Sequence, residues 1–158
     1  MLEAIKHLES VGIYHRDIKP ENIGVSPIGR DDRLGLILFD FSLSKAPLES
    51  IRAGTPPYLE PFLSLRKPPR WDLYAERFAA AMTLYEMATG ILPKWGDGQS
   101  SPDLLNCEVT INSELFDISL RDSMVNFFKK ALYRNYQQRH DNAEEMLDHW
   151  KAIFKAVD

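Results

Sequence analysis

The chain has 158 residues, 44% of them apolar, and a formal net charge of −4. This charge gives no reason to expect binding to nucleic acid or to an anionic membrane, and no apolar run approaches the roughly 20 residues of a membrane span. The single cysteine, Cys107, excludes an internal disulfide and fits a reducing compartment. We therefore expect one folded domain in a soluble, cytoplasmic protein.

The N-terminal part of the chain combines a helix pattern with two polar motifs. Apolar residues at positions 2, 4, 5, 8 and 11 predict an amphipathic helix, and residues 15–22 then read H-R-D-I-K-P-E-N. An apolar, β-prone run at 36–39 leads into Asp40, Phe41 and Ser42, which places Asp40 at the end of a predicted strand. The residues 26–33 before that strand are predicted to form a loop.

The second half of the chain is predicted to be mostly helical. Residues 54–61 read G-T-P-P-Y-L-E-P, and 78–90 form a segment that is apolar nearly all round, with Gly90 as its C-terminal cap. Such a pattern predicts a buried helix. The polar, turn-rich residues 94–112 are predicted to form a long surface connection.

Two further helices are predicted near the C-terminus. Ser119 and Asp122 have the spacing of a capping box before a helix that runs to Leu132. Asn142 and Glu145 have the same spacing before a last helix with one apolar face.

The three motifs resemble, in the same order, the catalytic loop H-R-D-x-K-x-x-N, the D-F-G motif and the G-T-x-x-Y-x-x-P stretch of eukaryotic-type (Hanks-type) serine/threonine protein kinases. The resemblance extends over residues 1–158. It implies a mainly α fold with a small β-hairpin region, the C-lobe of a protein kinase (α+β overall). Residues 75–78 and 86–90 are also similar to kinase domains inside large multidomain bacterial proteins, such as phage-defence kinases.

The resemblance implies ATP and Mg²⁺ as cofactors and a protein as substrate. Asp17 would orient the acceptor hydroxyl, and Lys19 would contact the γ-phosphate and stabilise its developing charge. Asn22 and Asp40 would hold Mg²⁺ and through it the nucleotide.

Other positions would shape the region around these residues. Thr55 and Tyr58 would belong to the activation segment, residues 40–61, and its substrate platform, and Arg16 would serve the same segment and could receive a phosphate on Ser44 or Ser50. His15 is expected to pack under Phe41 as a structural residue rather than to titrate in catalysis.

The sequence departs from the family pattern at several positions. Ser42 replaces the glycine of D-F-G, and Phe62 stands where the glutamate of A-P-E belongs. Glu76, or alternatively Asp72, would replace the aspartate of the central helix, which bonds to backbone N–H groups of the catalytic loop. Arg139, the late structural arginine of the family, would then pair with Glu60, Asp141 or Glu145, or be exposed, and Phe62 would fill the vacated space between the activation segment and the C-terminal helices.

The glycine-rich loop and strand lysine of a kinase N-lobe are expected to lie outside this chain, so the chain alone is predicted to be inactive. Two alternatives stay open. One is a pseudokinase or C-lobe scaffold that binds a partner without catalysis. The other is a small-molecule kinase of the aminoglycoside-phosphotransferase type, which would not be expected to carry both the R-D-x-K and G-T-x-x-Y-x-x-P patterns.

Overall fold

The computed structural model describes residues 1–29 and 33–155. The described part contains the helices α1 (Leu2–Ser10), α2 (Leu73–Thr89), α3 (Arg121–Ala131) and α4 (Ala143–Lys155), and the strands β1 (Ile23–Ile28), β2 (Arg33–Leu38), β3 (Lys94–Trp95) and β4 (Val109–Thr110). Short 3₁₀ turns connect several of them. The predicted fold class, mainly α with a small β-hairpin, is confirmed.

Helix α2 is the centre of the fold. Every residue from Ala75 to Tyr85 is buried, and Gly90 ends the helix at φ 74°, in the left-handed region that glycine adopts without strain. The predicted start at Phe78 was wrong, since the helix begins at Leu73. Near that end, Glu76 and Arg77 are buried charged residues, which hide a helix from a search for apolar periodicity.

The hairpin β1–β2 brings two polar motifs together. The strands pair antiparallel from Ile23 opposite Leu38 to Ile28 opposite Arg33, so the predicted loop at 26–33 was wrong at both of its ends. Its residues 30–32 lie outside the described residues. Beyond the paired strands, Phe39 N donates to Asn22 O at 3.0 Å. Asn22 and Asp40 are thereby held at the same end of the hairpin.

The last helix starts as the sequence predicted, and the one before it does not. Asn142 Oδ1 accepts from Glu145 N at 2.8 Å, which caps α4. Helix α3 begins at Arg121 without a side-chain cap, because the Ser119 hydroxyl instead donates to Asp117. Residue 119 therefore completes a turn before α3.

Residues 94–112 are more ordered than a surface connection. Strands β3 and β4 pair antiparallel, and the Trp95 ring is buried and stacks on Phe78 of α2 with centroids 6.2 Å apart. The prediction missed this contact because polar residues on both sides mask the isolated tryptophan. Within the described residues, no helix is long and apolar enough to cross a membrane.

Candidate active site

Glu76 of α2 holds the turn that carries Asp17 by accepting hydrogen bonds from its backbone. Glu76 Oε2 accepts from His15 N at 3.2 Å, and Oε1 accepts from Arg16 N at 2.8 Å. Trp71 Nε1 donates to the same Oε1 at 2.9 Å. Arg16 has φ 70°, a strained conformation for a residue with a side chain, which these contacts maintain. The contact predicted for Glu76 is present, and Asp72 instead caps α2 by accepting from Ala75 N.

The Glu76 carboxyl is removed from water. Burial raises its pKa to about 7, although the N–H donors of Trp71, Arg16 and His15 act in the opposite direction. A carboxyl at this depth costs stability when it is ionised, so the three donors are needed to keep it in place.

Asp17, Lys19 and Thr55 form a closed cluster. The Thr55 hydroxyl donates to Asp17 Oδ1 at 2.6 Å and accepts from Lys19 Nζ at 2.7 Å, while Lys19 Nζ lies 2.9 Å from Asp17 Oδ2. Burial raises the pKa of Asp17, but hydrogen bonds from Lys19, Thr55 and Asn22 outweigh it and hold the pKa below its usual value. Asp17 is thus an ionised carboxylate whose orientation is fixed.

Asn22 links the cluster to the hairpin. Its Nδ2 donates to Asp17 O at 2.8 Å and to Asp17 Oδ2 at 3.1 Å. Because the amide nitrogen is committed to Asp17, the amide oxygen is the atom of Asn22 that remains for a cation.

His15 contacts Phe39 and Phe41, the residues on either side of Asp40 in the sequence. Its Nδ1 accepts from Asp17 N at 3.2 Å, which leaves Nε2 to donate to Phe39 O at 2.8 Å. Its ring meets the ring of Phe41 edge-on, with centroids 4.5 Å apart, as predicted. Burial lowers the pKa of His15, so the imidazole is neutral and structural.

The Asp40 carboxylate is exposed and partly constrained. Asp40 has φ 62°, and its Oδ1 accepts from Ser42 N at 3.2 Å, while hydrogen bonds from Ser42 lower the pKa of the carboxyl. A carboxylate and an amide oxygen at one end of a hairpin suit Mg²⁺, which takes hard oxygen ligands and commonly uses one or two carboxylates together with substrate phosphates. Among the described residues, no group of three or more His, Cys, Asp or Glu side chains could hold a metal ion by itself. A bound Mg²⁺ would therefore need phosphate oxygens of the substrate as well.

Arg16 contacts the activation segment instead of the reacting atoms. Its Nη1 donates to Ala46 O at 2.6 Å and Pro47 O at 2.7 Å, and its Nη2 donates to Ser50 O at 2.7 Å. Only 1% of Arg16 is exposed. The two terminal nitrogens are therefore already bonded where a phosphate would have to bind, while Nε is buried and has no hydrogen-bond partner among the described residues.

Tyr58 anchors the far end of the same segment. It is buried, and its hydroxyl donates to Glu86 Oε2 of α2 at 2.5 Å. Burial and the hydrogen bond to Glu86 raise the pKa of Tyr58, so the phenol stays protonated. Its role in the structure is to fasten the segment to α2.

Arg139 is buried and paired with Glu60, the first of the three predicted partners. Nη2 of Arg139 lies 2.9 Å from Oε1 of Glu60, whose Oε2 lies 2.6 Å from Nη2 of Arg66. Phe62 is buried too, but its ring lies edge-on to Phe78 and Trp95. It fills space against the central helix, and the central guanidinium carbon of Arg134, which follows α3, lies 4.9 Å from the centroid of its ring, so it also meets the C-terminal helical region as predicted.

Sequence reasoning missed Trp71 and Arg66. Trp71 supplies the third donor to Glu76, and Arg66 binds both Glu60 and Asp72. The proximity of Arg66 to two carboxylates within six positions was the one available signal. Neither residue belongs to a motif, so only the folded chain reveals their partners.

Comparisons with known proteins show what the chain is similar to. The family model described as Protein kinase domain matches residues 1–150. The chain is 43% identical over 96% of its length to "Probable kinase PglW" of Streptomyces coelicolor, of which it spans 10%. It is 31% identical to "Serine/threonine-protein kinase sck2" of Schizosaccharomyces pombe and 28% identical to "Calcium/calmodulin-dependent protein kinase type 1B" of Rattus norvegicus, with 100% of the chain covered each time. It spans 24% and 46% of these two relatives.

Proposed function

Since this chain belongs to the protein kinase family, we propose that it forms the C-lobe of a serine/threonine protein kinase that transfers the γ-phosphate of ATP to a protein hydroxyl. The observation that carries the proposal is the cluster of Asp17, Lys19 and Thr55, in which an ionised carboxylate and an ammonium group meet on one hydroxyl. A serine or threonine of a substrate has the same hydroxyl chemistry as Thr55. A substrate hydroxyl close to Asp17 would donate its hydrogen to the same carboxylate.

The chain supplies positioning and charge, which is most of what phosphoryl transfer asks of a protein. Asp17 accepts and orients the hydrogen of the attacking hydroxyl, and Lys19 stabilises negative charge on the transferred group. Asn22 and Asp40 offer the oxygen atoms that would hold Mg²⁺, which neutralises phosphate charge when bound. Glu76 and His15 keep the backbone of both motifs in place.

The exposed apolar side chains of the hairpin support an N-lobe as a further part of the working enzyme. The strand register puts Val25 and Leu34 on one face of the hairpin and Ile37 and Phe39 on the other, and all four side chains are exposed. Exposed apolar side chains on both faces of one hairpin are what a contact with another protein surface would cover. We expect the adenine pocket and the second phosphate contact to lie between the hairpin and the N-lobe.

A direct test measures transfer of radiolabelled phosphate from ATP to protein by the full-length protein. Asp17→Asn keeps the size of the side chain and removes its charge, so turnover should fall by about 10²–10⁴-fold with an unchanged circular dichroism spectrum. Asp148→Asn, on the exposed side of α4, is the matched control and should keep wild-type turnover. Label on serine or threonine, and not on tyrosine, is expected in phosphoamino-acid analysis. Transfer near the wild-type rate in Asp17→Asn would show that another mechanism operates.

A scaffold without catalysis is the second candidate. It is favoured by the replacements at Ser42 and Phe62, because both alter positions that the resemblance ties to catalysis. The same assay separates the two, since a scaffold transfers no phosphate above background while its purified full-length form remains folded.

A further inference from the structure

We propose that Arg16 holds the activation segment in its ordered conformation by binding main-chain carbonyl groups, so that the kinase needs no phosphate on this segment for activity. The inference rests on the proposed function, because it concerns the regulation of the same site. It makes Arg16 a positioning residue that acts through the segment and does not touch the substrate.

Three short hydrogen bonds carry the argument. The two terminal nitrogens of Arg16 donate to the carbonyl oxygens of Ala46, Pro47 and Ser50 at distances of 2.6 to 2.7 Å. Hydrogen bonds from a charged donor are stronger than neutral ones. Together they fix a stretch of five residues on the side of the segment that faces the catalytic loop.

The remaining surroundings of Arg16 leave no opening for an anion. The guanidinium lies over the ring of Trp71, with its central carbon 5.0 Å from the ring centroid. The gap lined by Arg16, Thr55 and Trp71 has no room for a water molecule. Glu76, which accepts from Arg16 N, places a carboxyl group nearby that would repel a phosphate whenever the carboxyl is ionised.

The segment that accepts these bonds is itself folded into turns. Ala46 N donates to Leu43 O, Ser50 N donates to Pro47 O, and Ala53 N donates to Ser50 O. The carbonyl of Leu48 also accepts from Trp71 N at 2.8 Å, which ties the segment to the residues before α2. The carbonyl oxygens therefore converge on Arg16 as part of a local fold.

Phosphorylation orders such segments by giving an arginine strong acceptors. In this chain the backbone provides those acceptors without modification. Ser44 and Ser50 are the candidate phosphorylation sites in the segment, and a phosphate on either would have to displace existing hydrogen bonds to reach Arg16. The side chain of Ser50 is exposed. Turning it inward would form no new bond to Nη2 of Arg16, because the carbonyl oxygen of Ser50 already accepts from that atom.

The test uses the full-length protein with two readouts, phosphate transfer and amide hydrogen exchange over residues 46–53. The protein is treated with a phosphatase, its phosphate content is checked by mass spectrometry, and it is compared with the Ser44→Ala/Ser50→Ala variant. We expect turnover within about twofold of the untreated protein and unchanged exchange in both. A loss of about tenfold or more in turnover, with faster exchange over 46–53, would overturn the proposal.

An arginine variant tests the carbonyl contacts directly. Arg16→Lys keeps the charge but cannot reach three carbonyl groups with one ammonium, so exchange over 46–53 should become about 10- to 100-fold faster. Arg70→Lys is the matched control, because Arg70 is exposed and lies 3.8 Å from Glu49 of the same segment. Unchanged exchange in Arg16→Lys would contradict the assigned role. Should the protein show no transfer in any state, the proposed function fails, and the exchange measurements alone decide the role of Arg16.

Discussion

Arg139 and Glu60 form a buried ion pair across 79 positions of the sequence, with 3% and 0% of their side chains exposed. The same carboxylate binds Arg66 through its other oxygen. Phe62 occupies the position where the family resemblance places the glutamate partner of this arginine. The carboxylate has thus moved two residues along the chain, and an apolar ring fills the place it left. The junction between the activation segment and the end of α3 is preserved by different atoms.

Removing this carboxylate should destabilise the fold strongly. Glu60→Ala leaves the buried guanidinium of Arg139 without its carboxylate partner and leaves Arg66 with Asp72 alone, so we expect the free energy of unfolding to fall by about 3–5 kcal/mol. Glu49→Ala is the control, because the pair of Glu49 and Arg70 is exposed and long, and exposed pairs contribute about 0–1 kcal/mol. Urea denaturation measures both. Equal losses in the two variants would contradict the account of a buried network.

The contribution of Glu76 to the free energy of unfolding should fall as the pH rises. Burial raises the pKa of this carboxyl in the folded state to about 7, from 4.5. The folded state therefore binds a proton more tightly, and its contribution to stability is full below pH 4.5 and is lost as the pH rises to 7. The difference in unfolding free energy between wild type and Glu76→Gln should change over this window. A constant difference would show that Glu76 is ionised throughout.

The contribution of His140 to the free energy of unfolding should fall as the pH falls, which is the opposite of the behaviour of Glu76. This imidazole is buried against Phe127, and its Nε2 lies 2.9 Å from Nδ1 of His149. Burial, reinforced by Lys130, lowers the pKa of His140 to about 4, from 6.5. The contribution of neutral His140 to stability is therefore full above pH 6.5 and is lost as the pH falls to 4.

The groups that face His140 are His149, Lys130, Glu145 and Arg77. His140→Gln should reduce the loss of stability on acidification, measured by thermal denaturation between these two pH values. The control is His7→Gln, since His7 is exposed on α1. A pH profile of His140→Gln identical to that of wild type would rule out the role of this residue.

The Thr55 hydroxyl should matter for turnover. It joins Asp17 and Lys19, and a hydrogen bond to a charged group contributes about 1.5–3 kcal/mol. Thr55→Val should lower kcat of the full-length protein by about 10- to 100-fold, while Thr55→Ser keeps the hydroxyl and should retain most of it. If the two variants were equally active in steady-state kinetics, the hydroxyl would have no part in catalysis.

The 158-residue chain alone should not bind Mg·ATP with micromolar affinity. Only part of the nucleotide contacts a kinase C-lobe, and apolar side chains on both faces of the hairpin remain exposed here. Isothermal titration calorimetry of the isolated chain checks this, with the full-length protein as the positive control. Micromolar binding by the isolated chain would show that Asn22, Asp40 and Lys19 suffice.

Short motifs allowed the sequence to predict which side chains lie together in the candidate site. The spacing of Asp17, Lys19 and Asn22 is local, and the strand before Asp40 follows from a run of apolar residues, so both are independent of distant contacts. The end of α2 at Gly90 and the cap of α4 at Asn142 are local for the same reason. The start of α2 was missed because Glu76 and Arg77, near that end, are buried charged residues whose burial depends on partners elsewhere in the chain.

Only the tertiary structure decided which partner each charged group takes. Sequence reasoning left several carboxylates open for Arg139 and a phosphate open for Arg16, because burial and pairing depend on which surfaces the fold brings together. In the folded chain, Glu60 pairs with Arg139 and Arg66. The carbonyl oxygens of Ala46, Pro47 and Ser50 accept hydrogen bonds from Arg16. The sequence by itself determined which side chains make up the candidate site. The packing around α2 decided how the activation segment is held over it.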